Sequence, residues 1–144
     1  MDVYSKLCNL LGGAGAGQHT KMVNQINIAG SMIGVCQGLI YAKKTGLDIQ
    51  QVLDTISGGA AASFSLTAYA PRILKGDMAP GFYAEHFLKD LKIALEECDS
   101  MKISLPGLNL VHDMYSQLVN EMEGGRYGTQ ALIRVLEKMN DVQI

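Results

Sequence analysis

Apolar residues recur at helical spacing near the beginning of the chain. From Gln18 to about Lys44 there is no proline, and the apolar positions that follow the spacing of a helix face are Met22, Val23, Ile26, Ala29, Ile33, Cys36 and Ile40. Thr45 and Gly46 then supply a stop. The pattern predicts one helix roughly 40 Å long, which is unusual for a globular protein.

Shorter helices are predicted after this long one. Capping residues and terminating glycines place them at 49–57, 64–75, 84–101, 106–123 and 130–139. The predicted N-caps are Asp48, Ser63 and Thr129, while Pro106 lies at or near a first helical position. The clearest apolar stripe, within 84–101, consists of Phe87, Leu88, Leu91, Ala94, Leu95 and Cys98. Since no alternating run is long enough for a sheet, the predicted fold class is all-α.

Three glycines interrupt the long helix at a spacing of four residues. Each of Gly30, Gly34 and Gly38 costs about 1 kcal/mol relative to alanine in a helix interior. Their common face predicts a surface that another backbone approaches closely.

Composition and charge narrow the class of protein. The chain has 144 residues, of which 48% are hydrophobic and 18% charged, as expected for one packed domain. A net charge of −2 argues against a nucleic-acid or membrane-binding surface, and the most apolar stretch, 26–42, is too short and polar to span a membrane. Three scattered cysteines indicate neither a disulfide framework nor a metal site. Without a signal-peptide pattern, the expected location is the cytoplasm.

The candidate site begins at the glycine-rich turn before the long helix. A turn of this kind leaves the first N–H groups of the helix available to an anion, and the helix dipole adds positive potential there. Lys21 lies close to this helix start, where a cation is unfavourable. Asn24 and Gln25 follow at i+3 and i+4, so the three side chains share one face. The group predicts a cradle for a small carboxylate, with Lys21 as proton donor and acceptor.

Other interpretations of this stretch are available. An isolated lysine on a helix is usually solvated, and glycine-rich turns are common. The glycines do not form a dinucleotide-binding fingerprint, and no Gly-Lys-Ser/Thr sequence indicates a P-loop.

The pattern Gly12-x-x-Gly15-x-Gly17-x-x-x-Lys21-x-x-Asn24-Gln25 resembles the catalytic signature of the β-hydroxyacid dehydrogenases. The resemblance continues through Ile56–Gly59 with Ser63, Pro80–Phe82 with Leu88–Leu91, and Leu105-Pro106. It implies a helical domain like the C-terminal domain of 6-phosphogluconate dehydrogenase over 12–144, which binds substrate and forms oligomers. Residues 1–11 would be the remnant of the last strand of an absent Rossmann domain.

The same resemblance implies roles for individual residues. Lys21 would be the general acid/base, Asn24, Gln25 and Gly17 would bind substrate, and Lys89 and Phe82 would contact NAD or NADP. The implied partners are a small hydroxy acid or semialdehyde, the Rossmann domain and a second copy of the chain. Without the Rossmann domain the chain is expected to be inactive.

Several alternatives stay open at this stage. Phe82 is equally well explained as a core residue, and the Lys89-Asp90 pair as solvated surface. A helical dimerisation module without chemistry is the alternative function, and a simple anion-binding protein is a third. Many relatives carry an acidic residue and a serine before the last helix, where this chain has Gly128-Thr129-Gln130-Ala131-Leu132, so the substrate is not predicted.

Overall fold

The predicted long helix is the central element of the fold. A computed structural model describes residues 12–144, in which this helix is α1, Ala16–Lys44. It begins directly after Gly15, whose φ of 89° is a left-handed conformation that glycine adopts without steric cost. It ends at Thr45, and Lys43 and Lys44 in its last turn complement the helix dipole.

The other elements surround α1. The α-helices that follow it are α2 (Ile49–Ile56), α3 (Ala70–Leu74), α4 (Ala84–Met101), α5 (Pro106–Ser116) and α6 (Ile133–Asn140). Two π-helical segments, Ser65–Tyr69 and Gln117–Glu121, and a 3₁₀ turn, Thr129–Leu132, adjoin α3, α5 and α6. Within 12–144 the backbone forms no strand, and an isolated bridge joins Tyr83 to Gly128. The all-α prediction is confirmed.

The helix boundaries follow the local signals closely. Asp48 caps α2, because its Oδ1 accepts a hydrogen bond from the Gln51 N–H at 3.0 Å. Ser63 Oγ accepts from the Leu66 N–H at 3.0 Å and begins the third segment as predicted. The predicted cap at Thr129 is wrong, since this residue lies inside the 3₁₀ turn and is buried. None of the helices in the described part of the chain has the length and apolarity to cross a membrane.

The core lies between α1 and the helices packed on it. α1 contacts α2, α4, α5 and α6, and the predicted stripe of α4 is buried at Phe87, Leu91, Ala94 and Cys98. Leu88 and Leu95 of that stripe are half-buried at its margin.

Tyr115 of α5 is a fully buried polar member of this core. Its ring meets Phe87 edge-on at 5.0 Å, and its hydroxyl donates to the Thr129 carbonyl at 2.7 Å. Burial raises the pKa of Tyr115 well above its usual value, so the phenol stays protonated and able to donate.

The substitution Tyr115→Phe is expected to destabilise the chain by about 1–2 kcal/mol, because it leaves the Thr129 carbonyl without its donor. Urea denaturation of both proteins measures the difference. Tyr41→Phe is the matched control, since Tyr41 is 71% exposed, and an equal effect there would contradict the argument.

The three glycines of α1 line an open groove. Gly30, Gly34 and Gly38 face α2 and residues 60–66 across an apolar space of about 450 Å³. A β-carbon at any of the three would meet nothing within 4 Å. The close backbone approach that their spacing predicts is therefore not made by any segment of 12–144.

Candidate functional site

Lys21 occupies the second turn of α1, on the side that faces α4. Its Nζ lies 3.5 Å from Asp90 Oδ2 and 5.5 Å from the centre of the Phe82 ring, and half of its side chain is exposed. The first turn of α1 holds no acidic residue, so Asp90 of α4 supplies the negative charge near this lysine. The lysine is thus held by contacts from a distant part of the chain while its amine remains accessible.

A hydrogen-bonded chain connects the predicted amides to Asp90. Asn24 Nδ2 donates to Gln25 Oε1 at 2.9 Å, and Gln25 Nε2 donates to Asp90 Oδ2 at 2.7 Å. Gln25 is 2% exposed and Asp90 is 9% exposed, so a lone charge here would be costly without these partners. The sequence-predicted trio of Lys21, Asn24 and Gln25 is brought together, and Asp90 connects it.

Asp90 is a central residue to which the sequence interpretation assigned no role of its own, with solvated surface as the alternative. Its position in α4, three residues after Phe87 and four before Ala94, places it on the buried face of the helix. A carboxylate on an apolar stripe is the signal that could have identified it, because a buried charge requires a partner.

Lys89 is not part of the group formed by Lys21, Asn24, Gln25 and Asp90. Its side chain is 68% exposed, and its Nζ is 4.0 Å from Asp90 Oδ1. Gly17 also lies outside it, bordering a separate depression that it shares with Lys21, Ile93 and Glu97. The structure therefore brings neither of these two predicted residues into the cavity beside Asn24.

A cavity of about 350 Å³ opens beside Lys21. Its polar lining includes Lys21, Asn24, Gln25 and Asn27, and its apolar lining includes Ile28, Phe82, Phe87, Phe64 and Tyr69. Ser31, Ser65 and Thr129 contribute hydroxyl groups. Among the described residues that line the cavity, Lys21 is the one with a charged side chain. Such a cavity fits a small molecule with one anionic end and a neutral remainder.

Several lining residues were absent from the sequence-based site. Phe64 is 74% exposed and meets Tyr69 edge-on at 5.7 Å, at the beginning of the π-helical segment. Thr129 comes from the distant 3₁₀ turn. Local spacing carries no information about which of these segments reaches α1, so only the fold identifies them.

Phe82 serves two purposes in this wall. It packs edge-on against the core residue Phe87 at 6.2 Å, and its ring lies under the Lys21 amine. Phe82 therefore packs against the core and lines the cavity, while its contact with a nicotinamide cofactor stays a prediction.

The cavity also limits what cofactor this part of the chain could hold. Its volume lies at the low end for pockets that take drug-sized ligands, so it has room for a small acid beside a nicotinamide ring. The remainder of a dinucleotide does not fit there. The described residues at this cavity therefore suit at most the nicotinamide end of such a cofactor.

Comparison with known proteins places this geometry in a family. Residues 15–136 match the family described as "NAD-binding of NADP-dependent 3-hydroxyisobutyrate dehydrogenase". The chain belongs to the β-hydroxyacid dehydrogenase family. Its fold is the all-α C-terminal domain of that family, as the sequence resemblance implied.

Individual relatives agree with this assignment. The chain is 50% identical to a probable 3-hydroxyisobutyrate dehydrogenase-like protein, mitochondrial, of Arabidopsis thaliana, over 94% of this chain and 40% of the relative. It is 49% identical to an uncharacterized oxidoreductase of Bacillus subtilis, over 88% of this chain and 44% of that protein. The structure of Mycobacterium tuberculosis 3-hydroxyisobutyrate dehydrogenase with L-serine superposes with a TM-score of 0.81 at 25% identity, covering 88% of this chain and 45% of that one.

The chain spans less than half the length of these relatives. The predicted strand remnant at 1–11 lies outside the described residues, and the predicted cytoplasmic location stays a prediction. The family assignment establishes the fold. The activity, the substrate and the roles of single residues need a separate argument.

Proposed function

We propose that this chain is the lysine-bearing half of an NAD(P)-dependent dehydrogenase that interconverts a small 3-hydroxy acid and its semialdehyde. The observation that carries the proposal is the placement of Lys21 at the cavity between Asp90 and Phe82, with Asn24 tied to the same carboxylate through Gln25. Lys21 and Asn24 are exposed, so packing of the core does not require them. The names of the relatives support the same substrate class.

The chemistry divides between cofactor and protein. A bound nicotinamide accepts the hydride in oxidation and supplies it in reduction. Lys21 removes the proton from the substrate hydroxyl in oxidation and returns it to the carbonyl oxygen in reduction. Asn24 donates to the substrate and fixes its orientation, while Asp90 and the buried Gln25 hold both side chains in place.

Phe82 and the apolar lining exclude water from the neutral part of the substrate. NAD or NADP is bound mainly by the Rossmann domain that the resemblance implies, with Phe82 beside the nicotinamide and Lys89 available to the exposed part of the cofactor. On this proposal the chain alone turns over no substrate, because it forms less than half of the enzyme. Self-association of the helical domain belongs to the same proposal.

The experiment that tests it restores the missing half. The chain is fused to the remaining segment of the Bacillus subtilis relative, which the proposal takes to be the nucleotide-binding half. Absorbance of NADH and NADPH is followed with 3-hydroxyisobutyrate, glycerate, 4-hydroxybutyrate and L-serine. Each half alone is the control.

Turnover that requires both halves supports the proposal. A folded fusion protein that binds the cofactor and turns over none of the four compounds contradicts it, and would favour the alternative of a dimerisation module.

A further inference from the structure

The wall of the cavity is assembled from two segments that lie far apart in the sequence. Phe82 follows the loop 77–81, and Thr129 begins the 3₁₀ turn before α6. Hydrogen bonds join the two segments on both sides of Phe82. The Gly128 N–H donates to the Met78 carbonyl at 2.9 Å, and the Ala84 N–H donates to the Tyr127 carbonyl at 2.8 Å. The position of Phe82 therefore depends on residues 127–130.

Gln130 makes the remaining connection between these segments. Its side chain is fully buried, and its Nε2 donates to the Asp77 carbonyl at 3.1 Å and to the Ala79 carbonyl at 3.0 Å. Its Oε1 has no hydrogen-bond partner among residues 12–144. Burying Gln130 Oε1 without a hydrogen-bond partner is destabilising. The two hydrogen bonds that Nε2 donates offset this cost.

The Gln130 side-chain amide fits in this position because residue 128 is a glycine. A β-carbon on Gly128 would overlap Gln130 Oε1, and it would be 2.8 Å from Gln130 Cδ and 2.9 Å from the Ala79 carbonyl oxygen. Those distances are far below van der Waals contact, so the Gln130 amide occupies the space that any other side chain at 128 would take. The two residues form one unit, here called the Gln130–Gly128 contact.

We propose that Gln130, through its contact with Gly128 and the 77–79 carbonyls, is a positioning residue that sets where Phe82 and Thr129 meet the substrate. The inference rests on the proposed function, and it assigns a role to residues 128–130. Thr129 faces the cavity, whereas Gln130 acts from behind the wall. The contact determines the width of the cavity opposite α1, and with it the size of the substrate group that fits.

The position of Phe82 can be observed without any enzyme activity. The chain contains three phenylalanines, so incorporation of fluorophenylalanine yields three ¹⁹F resonances, assigned by replacing each phenylalanine with leucine in turn. The substitution Gln130→Met keeps the length of the side chain and removes its hydrogen bonds. The Phe82 resonance is expected to shift or broaden, with Phe87 following because the rings touch, while Phe64 stays in place.

The matched control is Gln37→Met, because Gln37 is an exposed glutamine on α1. Gly128→Ala is the second variant, since it displaces the same amide from the other side. An unchanged Phe82 resonance in folded Gln130→Met and Gly128→Ala proteins would overturn the inference.

Kinetic measurements on the fusion protein then distinguish a positioning role of Gln130 from an effect on stability alone. Gln130→Met is expected to raise KM for the preferred substrate about tenfold, at a temperature where the protein is fully folded, with a smaller change in kcat. Gln130→Ala and Gly128→Ala are also measured singly and together. Their effects on KM should combine to less than their product, because both changes remove one contact.

The outcomes are distinguishable. A shifted Phe82 resonance with an unchanged KM makes Gln130 a stability residue only and overturns the positioning role. A fusion protein that turns over no substrate contradicts the proposed function instead. In that case the ¹⁹F spectra still decide whether the Gln130–Gly128 contact holds Phe82 in place.

Discussion

Lys21→Ala is expected to lower kcat/KM of the fusion protein by about a thousandfold, because general acid–base catalysis contributes rate factors of this order. The Lys21 side chain is 50% exposed, so its removal opens no cavity in the core and stability should change little. Measurement requires steady-state kinetics with the best substrate, together with thermal denaturation of both proteins. Lys92→Ala is the matched control, since Lys92 is an exposed lysine on α4.

A second substitution at the same position separates proton transfer from charge. Lys21→Arg keeps the positive charge, but a guanidinium does not give up its proton at any pH that the enzyme tolerates. If Lys21 transfers a proton, the arginine variant stays nearly as inactive as the alanine variant. Recovery of most activity by arginine would instead show that Lys21 only attracts the substrate carboxylate.

Asp90→Ala is expected to lower kcat/KM by about a hundredfold and to destabilise the chain by about 1–3 kcal/mol. The stability loss arises because the buried Gln25 amide loses its acceptor. The activity loss arises because Lys21 and Asn24 are no longer held at the cavity, and misplacement by about 1 Å costs a rate factor of this size. Asp90→Asn keeps an acceptor for Gln25, so stability should recover more than activity.

A double-mutant cycle shows whether Asp90 acts through Lys21. In the Lys21→Ala background, Asp90→Ala should have little further effect on activity, since residues that act as one unit are not additive. Asp113→Asn on the exposed face of α5 is the control for the change of charge. Fully additive losses of activity would show that Asp90 acts independently of Lys21.

The proposed function divides the active site between two parts of an enzyme. On that proposal the helical domain supplies the lysine and an apolar wall, and a nucleotide-binding half supplies the cofactor. An isolated lysine at a helix start would be solvated. Here a carboxylate from α4 and a ring from the preceding loop restrict it to one edge of the cavity.

Local elements could be predicted well from the sequence. The extent of α1 and α4, and the caps at Asp48 and Ser63, depend on side chains within one or two turns, so spacing and residue type are sufficient information. The spacing of Lys21, Asn24 and Gln25 likewise placed them on one face. The π-helical segments were not predicted, since packing rather than local propensity decides them.

The interactions between distant segments were decided by the tertiary structure alone. Asp90 became the partner of Lys21 and Gln25 because α4 packs on α1, and Thr129 reached the cavity because the Tyr115 hydroxyl and the 77–80 loop hold its turn. The requirement for glycine at 128 likewise comes from the Ala79 carbonyl and the Gln130 amide. Helical periodicity is a property of neighbouring residues and determines secondary structure. The packing of the helices decides which buried carboxylates, carbonyls and rings come into contact. Only partners that the fold brings together offset the desolvation penalty of burying a polar group.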